Sequence, residues 1–156
     1  MKIKRIDQFS PRPRTRLIRI STDNGIEGWA ESTLEGKPKS VAAAIEEYSD
    51  YLVGKNPLTI EKHWQQMYRS AFFRGGAHNM SAIAAIDAAL WDIAGKHYNV
   101  PSYNLMGGKV RDKIRVYAHW GLRDLKDESK EEAKLRLEKL SKMGYTGYKS
   151  GPPGLW

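Results

Sequence analysis

Alternating short runs open the chain. Residues 2–9 read as a strand, and RLIRIST (16–22) and GIEGWAES (25–32) are two more extended segments flanking Asp23-Asn24-Gly25. That tripeptide predicts a hairpin, because Asn and Gly tolerate the positive φ such turns need. A basic, Pro-rich stretch, SPRPRT at Ser10–Thr15, separates the first two segments. The first ~35 residues therefore predict three short antiparallel strands.

The period then lengthens to that of a helix. Val41, Ile45, Tyr48 and Leu52 form one apolar stripe, and Ile60, Trp64, Met67, Tyr68, Ala71 and Phe72 form a second after the helix-start pair Asn56-Pro57. FFRGGAHN (72–79) follows as an expected loop. The next segment, Ser81–Lys96, differs in kind: Ile83, Ile86, Leu90 and Ile93 make one stripe, while Ala82, Ala85 and Ala89 keep another side small. A small-residue side admits close approach of a neighbouring backbone, so this helix is expected to lie between two layers. Pro101 and Gly107-Gly108 close the region.

After Lys113 the alternation returns. Ile114, Val116, Ala118 and Trp120 interleave with Arg115, Tyr117 and His119, which predicts a strand. Ser129 and Glu132 have capping-box spacing, Ala133, Leu137 and Leu140 define an amphipathic helix, and Gly147–Lys149 starts another strand. The result is a βαβ unit, whose parallel strands need at least a third neighbour.

Composition narrows the function classes. At 156 residues, 40% hydrophobic and 28% charged, the chain fits about one soluble domain with its own core. No apolar run approaches the ~18 residues of a membrane span, and MKIKRIDQFS has no apolar signal region. With no cysteine, disulfides, thiolate metal sites and cysteine nucleophiles are excluded, and a cytoplasmic location is expected. The net charge is +8, and residues 1–20 hold seven Lys/Arg against Asp7 alone. Such a surface attracts anions, but no aromatic platform, finger or helix-turn-helix spacing accompanies it, so nucleic acid is not the expected partner.

The order of three antiparallel strands, a helical set and β/α units resembles the mandelate racemase and muconate-lactonizing branch of the enolase superfamily. Its strongest carrier is Ala82–Gly107, AIAAIDAALWDIAGKHYNVPSYNLMG, similar to the family's long helix A-x-small-small-aliphatic-acid-x-A-L-x-D-aliphatic-x-G-K followed by Pro and L-aliphatic-G. Ser102 departs, standing where the family usually has an aliphatic residue. GIEGWAEST, FFRGGAHNMSAIAAIDAALWDI and GGKVRDKIRVYAHW look most like the galactonate-type sugar-acid dehydratases of that family.

The resemblance implies an α+β capping domain at residues 1–112, a three-stranded antiparallel sheet plus helices. Residues 113–156 would be the first βαβ of a TIM-type (β/α) barrel, truncated relative to the ~250 residues such barrels need. It also implies Mg²⁺-dependent chemistry, with α-proton abstraction beside a carboxylate, enediolate stabilisation and loss of the β-hydroxyl, and an assembly of identical subunits, a homo-oligomer. The family's metal ligands come from the third to fifth barrel strands, so no metal site is expected in this chain, and the 156 residues alone are expected to be inactive.

Site residues are implied in the same way. Lys149 matches the second-strand position where racemases and cycloisomerases carry Lys-x-Lys, but Lys149-Ser150-Gly151 lacks the second lysine. That favours a dehydratase over a racemase or cycloisomerase, whose base cannot be Gly151. The family's two specificity loops would be Ser10–Arg16 and Phe72–Met80. They offer Arg12, Arg14, Arg16, Arg74 and His78 as donors to a polyhydroxy acid, with Arg14, Arg74 and His78 the chosen candidates. Asp87 and Asp92 read as structural, and Glu128, Glu131, Glu132 and Glu138 as a solvated, ion-paired helix face. The competing reading is a non-catalytic cap fragment that associates with itself or with a longer relative.

Overall fold

Three antiparallel strands, β1 (Ile3–Arg12), β2 (Thr15–Thr22) and β3 (Glu27–Glu31), pair in the order β1-β2-β3. They belong to a computed structural model that describes residues 1–119 and 129–149. The chain divides into two units, Met1–Lys109 and Val110–Trp156.

The strand alternation sorts side chains onto two faces. Ile18 and Ile20 of β2 point inward and are fully buried. The outward register Asp7↔Arg19↔Trp29 crosses all three strands. There Phe9 stacks on Trp29 with ring centroids 5.5 Å apart, and the Arg19 guanidinium lies 5.4 and 5.5 Å from the two rings. Asp7 Oδ2 holds Arg19 at 2.9 Å, so the cation is both stacked and paired.

One expectation about this sheet changes. Ser10–Thr15 is a continuation of the hairpin rather than a loop: Arg12 pairs with Thr15, and only Pro13-Arg14 turns. A register shift between Phe9 and Arg12 accommodates Pro11, which lacks an N–H and is tolerated on an edge strand. The second turn falls on Asp23-Asn24-Gly25, as its residues predict. Only Gly25 takes a positive φ, +87°, and Thr22 closes the loop by donating from N and Oγ1 to Ile26 O at 3.0 and 2.6 Å.

Helices α1 (Pro38–Leu52), α2 (Ile60–Arg69) and α3 (Ala77–Tyr98) complete the core, followed by a short α4 (Ser102–Leu105). Val41, Ile45 and Leu52 of α1 are buried, as are Ile60 and Met67 of α2. The second stripe stops earlier than its spacing predicts. α2 ends at Arg69, and Phe72 and Phe73 are 92% and 81% exposed. α3, by contrast, starts four residues before Ser81.

Both predicted sides of α3 are buried. Ile83, Ile86, Leu90 and Ile93, and Ala82, Ala85 and Ala89, all lie in the core, with α3 against β2 and β3 on one side and α1 and α2 on the other. The closest approach is at Gly28 of β3. A Cβ there would sit 2.0 Å from the Ala89 carbonyl oxygen and 2.7 Å from Ile93 Cγ1. α3 ends at Asn99, whose φ of 54° is left-handed, and Val100 N–H donates to Gly95 O at 2.9 Å.

A buried histidine ties α2 to α1. His63 is 2% exposed. Its Nε2 lies 2.8 Å from Asn56 O, which can only accept, so Nε2 carries the proton and Nδ1 accepts from the Tyr51 hydroxyl at 3.0 Å. Burial raises the Tyr51 pKa, consistent with a phenol that keeps its proton. Asn56 also caps the turn through Oδ1, which accepts from Leu58 N–H at 3.0 Å.

In the second unit, β4 (Ala118–His119) and β5 (Tyr148–Lys149) pair in parallel, with α5 (Lys130–Lys142) between them in the chain. Both halves of the predicted Ser129/Glu132 capping box are formed. The first strand is shorter than its alternation suggests: Ile114 and Val116 precede it and are 77% and 60% exposed, while Trp120 lies outside the described residues. No residue of α5 is fully buried.

Gly28→Ala is expected to destabilise the chain by about 3 kcal/mol in urea unfolding, because the clash is with rigid helix backbone. Gly25→Ala, which meets open space, should cost only about 1 kcal/mol of backbone strain. His63→Leu should cost about 2 kcal/mol by leaving the Tyr51 hydroxyl without its acceptor and removing one bond to Asn56 O, which keeps Thr59 Oγ1 at 3.1 Å, whereas an unpartnered core histidine would tolerate the change.

Candidate functional site

The two regions expected to bind substrate are built differently. Arg14 stands at the tip of the β1–β2 hairpin, 82% exposed, and forms an ion pair with Glu35, itself 76% exposed. The hairpin base is firmer: Ser32 N–H donates to Arg16 O at 2.8 Å, and Arg16 N–H donates to Thr33 Oγ1 at 3.0 Å. An exposed pair of this kind is worth little in water, so Arg14 can exchange Glu35 for another carboxylate at small cost.

The second region is a turn running into α3. Arg74 donates from Nη1 to Ala71 O at 3.1 Å, and its guanidinium lies 5.5 Å from the Tyr68 ring centroid. This curls the side chain back onto the end of α2. Phe72 and Phe73 meet edge to face, 5.0 Å apart. His78 is not on a loop, as its neighbours suggested. It is exposed in the first turn of α3, because the helix begins at Ala77, just past Gly75-Gly76. Behind the turn, Tyr48, Met67, Tyr68 and Asn79 line a depression of about 10 Å³, room for at most one water. The depression is therefore packing space rather than a ligand pocket.

Among the described residues, no hydrogen bond or ion pair links the hairpin tip to the Arg74 turn. Each region presents its cations to solvent separately.

The acidic residues of α3 have structural partners. Asp92 accepts from Trp29 N–H at 2.9 Å and from Lys96 Nζ at 2.7 Å. Asp87 is half-buried, and burial first, then the nearby Glu61 carboxylate, push its pKa upward, while a hydrogen bond from Trp91 opposes the rise. On α5, Glu132 serves the cap: its Oε2 accepts from Ser129 N–H at 2.8 Å, which holds its pKa low. Glu128 lies outside the described residues. Among the described residues, no three His, Asp or Glu side chains gather as metal ligands. The described residues do not form a site that fits Mg²⁺.

Lys149 is exposed at the end of β5, and the parallel register sets it beside His119 of β4. Adjacent in-register residues of parallel strands project from the same face. In the sequence, His119 is only one of the polar positions alternating along its strand. Its place beside Lys149 depends on the pairing of residues 30 apart, and alternation within one strand carries no such information.

Residues 12–107 match the family described as mandelate racemase / muconate lactonizing enzyme, N-terminal domain. The chain belongs to this family. It is similar to the D-galactonate dehydratase of Variovorax paradoxus (strain S110), 51% identical over 121 residues that make up 78% of this chain and 32% of the relative. It is also similar to the D-galactonate dehydratase of Pectobacterium atrosepticum, 45% identical over 149 residues, 96% of this chain and 38% of the relative. The chain thus spans about a third of the length of the curated relatives it matches.

Solved structures agree on the mandelate racemase / muconate lactonizing fold. A crystal structure of an enolase from Agrobacterium radiobacter, with bound Na and L-malate, superposes with a TM-score of 0.86 at 31% identity, covering 97% of this chain and 38% of that one. An enolase from Pantoea ananatis, with bound D-gluconate and Mg, gives 0.82 at 30% identity, covering 96% and 36%. The three-stranded sheet and its helices are the capping domain of these enolase-superfamily structures.

Asp87→Asn is expected to stabilise the chain at neutral pH. The raised folded pKa means that the unfolded chain loses this proton first as pH rises above 3.8, so stability falls through that window and the deficit persists above it. Urea unfolding of both proteins at pH 7 and near pH 3.5 should show the gain at pH 7 and its disappearance in acid. An equal difference at both pH values would rule out the carboxylate's charge as the cause.

Proposed function

We propose that this chain supplies the capping domain, residues 1–112, and the first βαβ of the barrel, residues 113–156, of a sugar-acid dehydratase acting on an aldonate of the galactonate type. The observation that carries this reading is the 45% identity with a D-galactonate dehydratase over 149 residues, which extends through the hairpin tip, the Arg74 turn and both strands of the second unit. The reaction removes water: the proton on C2 goes to a base, the C3–O bond breaks, and the enol becomes a 2-keto-3-deoxy acid.

The chain's own residues would contribute charge and shape rather than the proton transfer. Lys149, with His119 beside it, supplies positive charge near the substrate carboxylate or near a neighbouring base, whose pKa it lowers. Arg14 exchanges Glu35 for the substrate, and Arg74 and His78 donate to hydroxyls. The described residues supply no ligand set for Mg²⁺. The bound Mg and D-gluconate of the Pantoea ananatis relative support a metal held by residues of the remaining barrel. A homo-oligomer is the proposed working form.

A racemase or cycloisomerase is disfavoured by one observation. Gly151 stands two residues after Lys149, where a second lysine base would be needed.

The test is a chimera of residues 1–156 joined to the remaining barrel of the Pectobacterium atrosepticum relative, assayed with Mg²⁺ on a panel of aldonic acids. Dehydration of galactonate is expected. Lys149→Met should lower kcat/KM about 100-fold, and Arg74→Ala should mainly raise KM, about 10-fold. A folded chimera that dehydrates none of the panel would refute the substrate class, and unchanged kinetics in Lys149→Met would refute that residue's role.

A further inference from the structure

The outer edge of β3 is short, regular and free of proline, which is the kind of edge that invites another strand. Its backbone groups alternate in direction. Ser32 N–H donates to Arg16 O, and Ile26 O accepts from Thr22 N–H, so the even-numbered residues face β2. Glu27, Trp29 and Glu31 therefore turn their backbone groups away from the sheet.

Two of these three residues are already bonded outside the sheet. Trp29 N–H donates to Asp92 Oδ2 at 2.9 Å, and Glu27 O accepts from Lys96 Nζ at 2.6 Å. Asp92 and Lys96 are one helical turn apart on α3 and join each other at 2.7 Å. A carboxylate on the N–H and an ammonium on the C=O reproduce the acceptor and donor that a neighbouring strand would offer. Any added strand that uses more of β3 than Glu31 must displace one of them.

The opposite edge of the sheet is protected by other means. Ile3 of β1 is bonded on both sides of its peptide, N–H to Lys55 O at 2.9 Å and O from Gly54 N–H at 2.8 Å. Further along, Pro11 and two register shifts break the ladder. β3 has no such break.

We infer that Asp92 and Lys96 act as a surrogate strand, closing the β3 edge against strand addition by a second copy of this chain. The pair also attaches α3 to the sheet. The test must separate the two roles, and it does not depend on catalysis.

Amide exchange by NMR on the 156-residue chain reads the edge directly. The Trp29 amide should exchange slowly although no strand lies beside it. In Asp92→Ala it should exchange at least ten times faster while the Ala30 amide, which faces β2, keeps its protection. Asp92→Asn retains an acceptor for Trp29 and should keep most of that protection. In sedimentation velocity, Asp92→Ala/Lys96→Ala should gain mass with concentration beyond the native chain. Ile45→Val, a loss of buried volume away from this edge, should not. The inference is overturned if the native Trp29 amide is unprotected, if Trp29 and Ala30 lose protection together in Asp92→Ala, or if the double variant keeps the native mass at every concentration.

Discussion

Backbone-to-backbone contact between β3 and α3 sets the dimensions of the first unit. Gly28 lies where even one carbon would overlap the Ala89 carbonyl, so sheet and helix meet without a side chain between them. This distance lets the isoleucines of β2 reach the stripe of α3. It also lets Asp92 and Lys96 reach past the sheet margin to the backbone of β3. A side chain at Gly28 would separate the layers, opening the core and the edge together.

The rigid centre has exposed cations at its margins. Arg14 and Arg74 sit on turns whose ends are fixed by regular structure, yet their own bonds are an exposed ion pair and a contact with a local carbonyl and ring. Such interactions are weak in water and readily exchanged. Residues arranged this way can meet an anionic, hydroxyl-rich ligand without disturbing the core that positions them. The basic charge of the N-terminal strands then favours approach of an acid, though charge alone selects no particular one.

The second unit shows the limits of a short parallel pair. The capping box and the helix of α5 form from local signals, but the described parts of β4 and β5, two residues each, leave Leu137 only partly buried and the residues before β4 exposed. Apolar positions that alternate as a strand, Ile114 and Val116, consequently lie exposed. Parallel strands depend on neighbours distant in sequence, so this region follows its local pattern only in part.

The sequence by itself determined the elements whose signals are local. Asp23-Asn24-Gly25 marked the turn between β2 and β3, the double stripe of Ser81–Lys96 marked a helix between two layers, and Ser129 with Glu132 marked the start of α5. It also carried the family, through the run from Ala82 to Gly107. What only tertiary structure decided involves partners far along the chain. Pro11 stays in β1 because β2 pairs with it on one side only. The stripe of α2 ends before Phe72 because no neighbouring layer covers that residue, and His63 is a pinned junction because Tyr51 and Asn56 converge on it. Periodicity reports which side of an element is apolar. It cannot report which backbone group, tens of residues away, will stand at hydrogen-bond distance, and those distances placed Asp92, Lys96 and His119.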